Sequence, residues 1–120
     1  MIESLSAVTL VTGDMERAVR FYRALGFKMI YGGESADFTS FHAGSGYLNL
    51  AKREDPGPLV GWGRSIFYVT DVDAMHARAL EAGFTPEFEP RDATWGERYF
   101  HIKDPDGHEV SFARPRSIEA

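Results

Sequence analysis

The residues best suited to chemistry lie near the C-terminus, in the stretch TWGERYFHIKDPDGHEVSFARP (94–115). This stretch predicts two strands joined by a DPDG turn, and alternation along the strands places His101 on one face with Glu109 and Ser111. His101 is a candidate general base, because histidine titrates near neutral pH. His101 and Glu109 also form a candidate metal pair, but two ligands make a weak site, so a hydrogen-bonded polar pair is the simpler interpretation.

Two tryptophans, Trp62 and Trp95, lie in predicted loops where they can flank a groove. Stacking on an indole ring suits planar or cationic ligands. The alternative for each is a loop residue folded onto the core, and the sequence does not separate the two interpretations.

Several other kinds of catalytic site have no support in the sequence. The absence of cysteine excludes zinc–thiolate sites and cysteine nucleophiles. No phosphate-binding glycine loop, dinucleotide fingerprint or Ser-His-Asp spacing is present. His42 and His108 flank predicted turns and His76 lies in a predicted helix, so we assign these three histidines no chemistry.

The composition limits the class of protein and its partners. The 120 residues suffice for one domain with a buried core, and the lack of cysteine favours a reducing cytoplasm. A net charge of −5 argues against nucleic acid, whose phosphates require an excess of Lys and Arg. Cationic or neutral ligands fit this charge better, and the alternative is that the acidity serves only solubility. No window approaches the roughly 18 apolar residues of a membrane-spanning helix, and MIESLSAVTL has no signal-peptide pattern. We therefore expect neither a membrane partner nor secretion.

An internal repeat predicts the elements that position these residues. The strand AVTLVT (7–12) and helix DMERAVRFYRALGF (14–27) are matched by the strand SIFYVT (65–70) and helix DVDAMHARALEAGF (71–84). Three candidate strands follow each helix, around KMIYGG, ADFTSFHA and GYLNLAKR and then around PEFEP, RYFHIK and HEVSFA. The sequence therefore predicts an α+β fold in which two βαβββ modules, about 1–55 and 62–116, form one domain (1–120) with a curved mixed sheet around a cavity.

Alternation divides the predicted sheet into an apolar face and a mixed face. The apolar set, expected beneath the helices, is Val8, Leu10, Phe38, Leu48, Leu50, Ile66, Tyr68, Phe100, Ile102, Val110 and Phe112. The mixed set is Ala7, Thr9, Val11, Asp37, Thr39, Phe41, Tyr47, Asn49, Ala51, Ser65, Phe67, Val69, Tyr99, His101, Glu109, Ser111 and Ala113. Aromatic residues among the polar ones favour a ligand-binding cavity over the alternative of a solvated open sheet.

This combination of elements resembles the vicinal oxygen chelate superfamily, which includes glyoxalase I, extradiol dioxygenases and the fosfomycin and bleomycin resistance proteins. The resemblance covers nearly the whole chain and rests on the duplicated βαβββ order, RAVRFYRALGF, DVDAMHARALEAG and WGERYFHIKDPDGHEVSF. Metal-dependent members carry His, Gln or Glu at four inward positions, which match Ala7, Asn49, Ser65 and Ser111. None of these is a strong ligand, so the resemblance implies no metal and no other cofactor.

Among metal-free members the chain is most similar to the bleomycin resistance protein, through the run Trp95-Gly96-x-Arg98-Tyr99-Phe100. Such proteins are dimers that sequester a flat, cationic drug in aromatic-lined grooves. The resemblance implies a metal-free, drug-resistance-like homodimer that binds a small aromatic or cationic molecule and has no catalytic residue. The candidate ligand-binding residues are Phe41, Asn49, Ser65, Phe67, Trp95, Tyr99, His101, Glu109 and Ser111.

Two alternatives stay open at this point. One is a metal-dependent lyase or dioxygenase-like enzyme with unusual ligands such as His101 and Glu109, and the other is a metal-free enzyme that uses His101 as general base. The sequence also leaves open whether the modules pair within one chain or across a dimer.

Overall fold

Each half of the chain forms a βαβββ module with its own sheet, in a computed structural model that describes residues 1–116. The first module contains β1 (Ala7–Thr12), α1 (Met15–Ala24), β2 (Met29–Tyr31), β3 (Phe38–Ala43) and β4 (Gly46–Lys52). The second contains β5 (Arg64–Tyr68), α2 (Val72–Glu81), β6 (Arg91–Asp92), β7 (Glu97–Lys103) and β8 (Glu109–Pro115). The strand orders are β1-β4-β3-β2 and β5-β8-β7-β6, and β1 with β4 and β5 with β8 are parallel pairs. The predicted α+β class and both βαβββ modules are confirmed, and each module contributes one small mixed sheet.

The helices begin and end where the repeated pattern predicts. Asp14 and Asp71 are the N-caps, and each side chain accepts a hydrogen bond from the backbone N–H three residues later, at 3.1 and 3.0 Å. Gly26 and Gly83 follow the helix ends with φ angles of 97° and 88°, a left-handed conformation that glycine adopts without strain. Neither helix of the described residues is long and apolar enough to cross a membrane.

Aromatic side chains from both modules meet in the core. The ring centroids of Phe21 and Phe84 are 4.7 Å apart, and those of Phe27 and Phe67 are 5.0 Å apart. These distances lie within the range of favourable aromatic contacts. The two modules therefore share part of their hydrophobic core.

The turn at residues 104–108 joins the modules by hydrogen bonds. The Asp104 carboxylate accepts a 2.7 Å hydrogen bond from the buried Tyr22 hydroxyl on α1. The Asp106 carboxylate accepts a 2.5 Å hydrogen bond from the Thr12 hydroxyl at the end of β1. The DPDG sequence thus forms the turn between β7 and β8 and also connects the second module to the first by hydrogen bonds.

His108 belongs to the same turn and holds Trp62 in place. One ring nitrogen, Nε2, lies 2.7 Å from the Val11 carbonyl oxygen, and the other, Nδ1, lies 2.7 Å from the indole nitrogen of Trp62. Because the indole is only a donor and the carbonyl only an acceptor, the His108 proton is on Nε2. His108 therefore has a structural role, while the Trp62 ring is half exposed and bonded to a neighbouring element.

The predicted faces of β3 were wrong. Phe41 is fully buried against Tyr22 and Phe27 on the helix side of the sheet, whereas Phe38 is 39% exposed on the mixed face. A tight hairpin sets this register, since it pairs Phe41 with the core residue Leu48. Phe41 is therefore a core residue and does not line the mixed face.

The predicted faces of β5 were also wrong. Ser65 and Phe67 lie opposite core residues of β8, whereas Ile66 and Tyr68 are 62% and 64% exposed. The repeat that aligns the two helices also aligns Ser65 with Val8, which packs against the core. A shift of one residue in a strand turns every side chain to the other face, so the repeat gives the correct assignment.

The strand expected around PEFEP is displaced to Arg91–Asp92. Pro86 and Pro90 lack the N–H group that a strand donates to its neighbour. The segment between them keeps one bond to β7, from the Glu87 N–H to the His101 carbonyl at 2.9 Å.

Candidate binding surface on the second sheet

The mixed face of the second sheet combines small residues at its centre with large residues on both sides. Cross-strand pairing places the side chains of this face in two rows. One row is Ile66, Ser111 and His101, and the next is Tyr68, Ala113 and Tyr99. The middle member of each row lies on β8 and is small and buried. Large side chains of β5 and β7 therefore flank the small, buried side chains of β8.

Aromatic rings from several elements contact one another on this face. The ring centroid of Tyr99 is 5.2 Å from Trp95, 5.0 Å from His101 and 5.5 Å from Phe88. We call these four residues together with Tyr68 the aromatic platform. Trp95 is 63% exposed, so its ring is available for stacking with a ligand.

Glu97 connects Tyr68 to the rest of the aromatic platform. One carboxylate oxygen accepts a 2.8 Å hydrogen bond from the Trp95 indole N–H, and the other accepts a short bond from the Tyr68 hydroxyl. Tyr68 belongs to β5 and Glu97 to β7, so the tyrosine side chain reaches across β8. Sequence reasoning missed both residues, although alternation from Tyr99 places Glu97 on the mixed face.

His101 is bonded to Ser111 at the centre of the sheet. Its Nδ1 atom lies 2.5 Å from the Ser111 hydroxyl oxygen. Burial lowers the pKa of His101, and the positive charge of Arg64 acts in the same direction. The neutral imidazole is therefore favoured at this position.

Glu109 does not form the expected hydrogen-bonded pair with His101. Its carboxylate lies 3.7 Å from the Arg64 guanidinium, on the same face of the neighbouring strand β5. The polar pair that the sequence predicted around His101 therefore forms with Ser111 instead.

Asn49 lies on the mixed face of the first sheet, apart from the aromatic platform. Its side-chain oxygen accepts a 2.6 Å hydrogen bond from Ser40, and its amide nitrogen donates to the Thr9 hydroxyl at 3.3 Å. Of the nine candidate ligand-binding residues, the second sheet brings together Trp95, Tyr99, His101, Glu109 and Ser111 on its mixed face. The side chains of Phe41, Ser65 and Phe67 are directed to the opposite, core side of their sheets.

The residues at the four inward positions do not fit a divalent metal ion. The residue of β5 that matches Ala7 in the repeat is Arg64 and not Ser65, so the set is Ala7, Asn49, Arg64 and Ser111. A methyl group, an amide, a guanidinium cation and a neutral hydroxyl make a poor ligand set. Within residues 1–116, no group of three or more His, Cys, Asp or Glu side chains is arranged to hold a metal.

Comparison with known proteins defines the family. Residues 4–112 match the family model of the Glyoxalase/Bleomycin resistance protein/Dioxygenase superfamily, and the chain belongs to this superfamily. A 47-residue segment is 49% identical to an uncharacterised protein of Mycobacterium bovis. That segment is 39% of this chain and 31% of the relative, so the match spans less than a third of the relative's length.

Solved structures with the same fold include both an enzyme and a binding protein. The lactoylglutathione lyase from Agrobacterium tumefaciens has a TM-score of 0.74 and 24% identity, over 93% of each chain. A bleomycin-binding protein in complex with bleomycin has a TM-score of 0.75 and 19% identity, over 96% of this chain and 100% of the other. The fold accommodates both kinds of function, so the function must be argued from the site.

Proposed function

We propose that this protein binds and sequesters a small aromatic or cationic molecule on the aromatic platform, without a metal ion and as a homodimer. The observation that carries the proposal is the contact between the Trp95 and Tyr99 rings on an open sheet face. The exposed Trp95 ring, supported by the half-buried Tyr99 ring, offers a rigid stacking surface, which suits planar ligands.

The donor set at the inward positions supports binding without a metal. Arg64 places a positive charge where a ligand for a cation is required, and Ala7 has no donor atom. Elemental analysis of the purified protein tests this point. About one equivalent of a transition metal, removable by a chelator with loss of ligand binding, would overturn it.

The homodimer is proposed because both mixed faces expose large apolar side chains. They include Tyr31, Phe38 and Tyr47 on the first sheet and Ile66, Tyr68 and Trp95 on or beside the second. A second copy that covers these faces would turn an open surface into the lined cavity that the sequence predicts. Light scattering at micromolar concentration tests the assembly, and a species of only 13.4 kDa would contradict it.

Ligand binding is tested by tryptophan fluorescence. The chain has two tryptophans, so Trp62→Phe leaves Trp95 as the sole reporter. Titration with planar aromatic compounds, bleomycin included, is expected to quench this reporter.

Trp95→Ala should weaken binding by about 1 to 3 kcal/mol, measured by calorimetry. Trp62→Phe is the matched control, since its indole contacts His108 and should not affect affinity. Equal affinities in wild type and Trp95→Ala would contradict the proposal.

A second candidate function is metal-free proton transfer by His101. The bond to Ser111 fixes the imidazole, and its lowered pKa favours the neutral form that a general base needs. Conversion of the bound compound, monitored by mass spectrometry and abolished by His101→Gln with binding retained, would favour catalysis over sequestration.

A further inference from the structure

We propose that Glu97 makes the aromatic platform selective for ligands that carry a positive charge beside a planar ring. The inference rests on the proposed binding function and names the chemical class of the ligand and the residue that selects it. It goes beyond the sequence-based expectation, in which an aromatic ligand and a cationic ligand were alternatives and Glu109 was the candidate acidic residue.

The charge of Glu97 is not balanced by its bonded neighbours. Its two carboxylate oxygens accept hydrogen bonds from the Trp95 indole and the Tyr68 hydroxyl, which are both neutral donors. None of the ion pairs found within residues 1–116 involves Glu97. Glu109 differs, because the Arg64 guanidinium lies 3.7 Å from its carboxylate. Unlike Glu109, Glu97 can therefore attract a cation without first losing a cationic partner.

The rings beside Glu97 are exposed and can stack with the planar part of the same ligand. Trp95 and Tyr68 direct their polar edges at the carboxylate, and 63% and 64% of these residues remain exposed. The face of an aromatic ring carries partial negative charge, so the exposed faces of these rings also favour a planar ligand that carries a positive charge. A cation at Glu97 therefore meets one full negative charge, while the planar part of the ligand stacks on the exposed rings beside it.

Arg91 shows that a platform ring already accepts a cation, and it also gives the surface a direction. Its guanidinium carbon lies 3.6 Å from the centroid of the Phe88 ring. Phe88 packs against His101, which follows Tyr99 on β7, whereas Glu97 precedes Tyr99 on the same strand. The positive charge of Arg91 thus lies over Phe88, beside Tyr99 and His101, whereas the negative charge of Glu97 lies beside Trp95 and Tyr68. A ligand is oriented with its cationic group at Glu97.

A matched pair of probes tests the inference. N-methylacridinium and acridine have nearly the same shape, and at pH 8 only the first is charged. Calorimetric titration of the wild-type protein is expected to show about tenfold tighter binding of N-methylacridinium. Glu97→Gln should remove most of this preference by weakening only the charged probe, and the preference should shrink as salt is raised. Glu109→Gln is the matched control and should leave the ratio unchanged.

The outcomes separate this inference from the proposed function. Equal binding of the two probes by wild type, or an equal loss of both in Glu97→Gln with an unchanged unfolding midpoint, would overturn the role of Glu97 and leave stacking on Trp95 intact. Loss of the preference in Glu109→Gln instead would assign the selection to Glu109 and also overturn the inference. Failure of wild type to bind either probe, together with no quenching by any planar compound, would overturn both proposals.

Discussion

The two modules differ most clearly in the turn that precedes their last strand. In the first module this turn is Ala43–Gly46, and in the second it is Asp104–His108. The turns are equivalent in position, because β4 pairs with β1 in parallel as β8 pairs with β5. One turn consists of Ala, Gly, Ser and Gly, whereas the other carries two carboxylates and an imidazole.

The turn at 104–108 bonds to the opposite module through all three of these groups. Asp104 reaches Tyr22, Asp106 reaches Thr12, and His108 reaches the Val11 carbonyl. Each contact satisfies a polar group that the module junction would otherwise bury without a partner.

The turn at 43–46 leaves the matching junction open. A groove of about 440 Å³ lies between this turn and β5, and its lining includes Phe27, Phe67 and Met75. A side chain such as histidine cannot stand at Gly46, because a Cβ atom there would lie 2.8 Å from the Ser6 carbonyl oxygen. The repeat is therefore symmetric in backbone order and asymmetric in how its modules are joined.

The largest expected effect on stability comes from Asp104→Ala. This change removes the acceptor of the Tyr22 hydroxyl and of two backbone N–H groups, from Asp106 and His108, in a buried region. We expect a loss of about 2 to 5 kcal/mol in the free energy of unfolding, measured by urea denaturation. The matched control in the other turn is Ser45→Ala, which should change stability by less than about 0.5 kcal/mol. Similar losses in both variants would contradict the asymmetry.

A smaller effect is expected for His108→Phe. The ring shape is kept, but Val11 loses a donor and Trp62 loses an acceptor. We expect a loss of about 1 to 3 kcal/mol and, in a Trp95→Phe background, a changed Trp62 emission maximum. The control is His42→Phe, an exposed histidine beside the first turn, which should alter neither property. An unchanged Trp62 spectrum in His108→Phe would show that this bond does not hold the indole.

The sequence predicts the fold well because its signals are local and repeated. Capping aspartates, closing glycines and strand alternation are read within a few residues, and the second copy checks the first. The displaced strand at PEFEP was predictable in part, since its two prolines argue against pairing.

The faces of β3 and β5 were harder to predict, because alternation divides the side chains of a strand into two sets without indicating which set is buried. In β3, Phe38 and Phe41 lie three residues apart and so fall on opposite faces, and hydrophobicity alone does not choose between them. The hairpin that pairs Phe41 with Leu48 makes the choice. In β5, the aromatic Tyr68 was assigned to the core, although the repeat aligned it with Val11 on the mixed face.

The mixed face of the second sheet was predicted in outline, and the polar contacts on it were not. Tyr99 and His101 follow from alternation along β7, and Trp95 shortly precedes that strand, so their shared face could be predicted from the sequence. The bonds of Glu97 to Tyr68 and of Glu109 to Arg64 each join different strands. Pairs of that kind depend on sheet order and register, which no local pattern contains.

The last and smallest expected effect is a pH dependence that belongs to the 104–108 turn. Burial raises the pKa of Asp104 above its ordinary value, although hydrogen bonds from Tyr22 and the His108 backbone act in the opposite direction. Between the ordinary pKa and the raised pKa, the folded protein binds a proton at Asp104 that the unfolded chain has released. Stability from this group is therefore present below the ordinary pKa and is lost as pH rises through the raised pKa.

Asp104→Asn removes the titration and keeps a side-chain oxygen that can accept hydrogen bonds. The free energy of unfolding of wild type relative to this variant should fall as pH rises through that window and should be constant above it. Urea denaturation at a series of pH values from 3.5 to 7 measures the difference. A relative stability that rises with pH would mean that the hydrogen bonds to the Asp104 carboxylate outweigh its burial. The ionised form of Asp104 would then be the form that stabilises the contact between the modules.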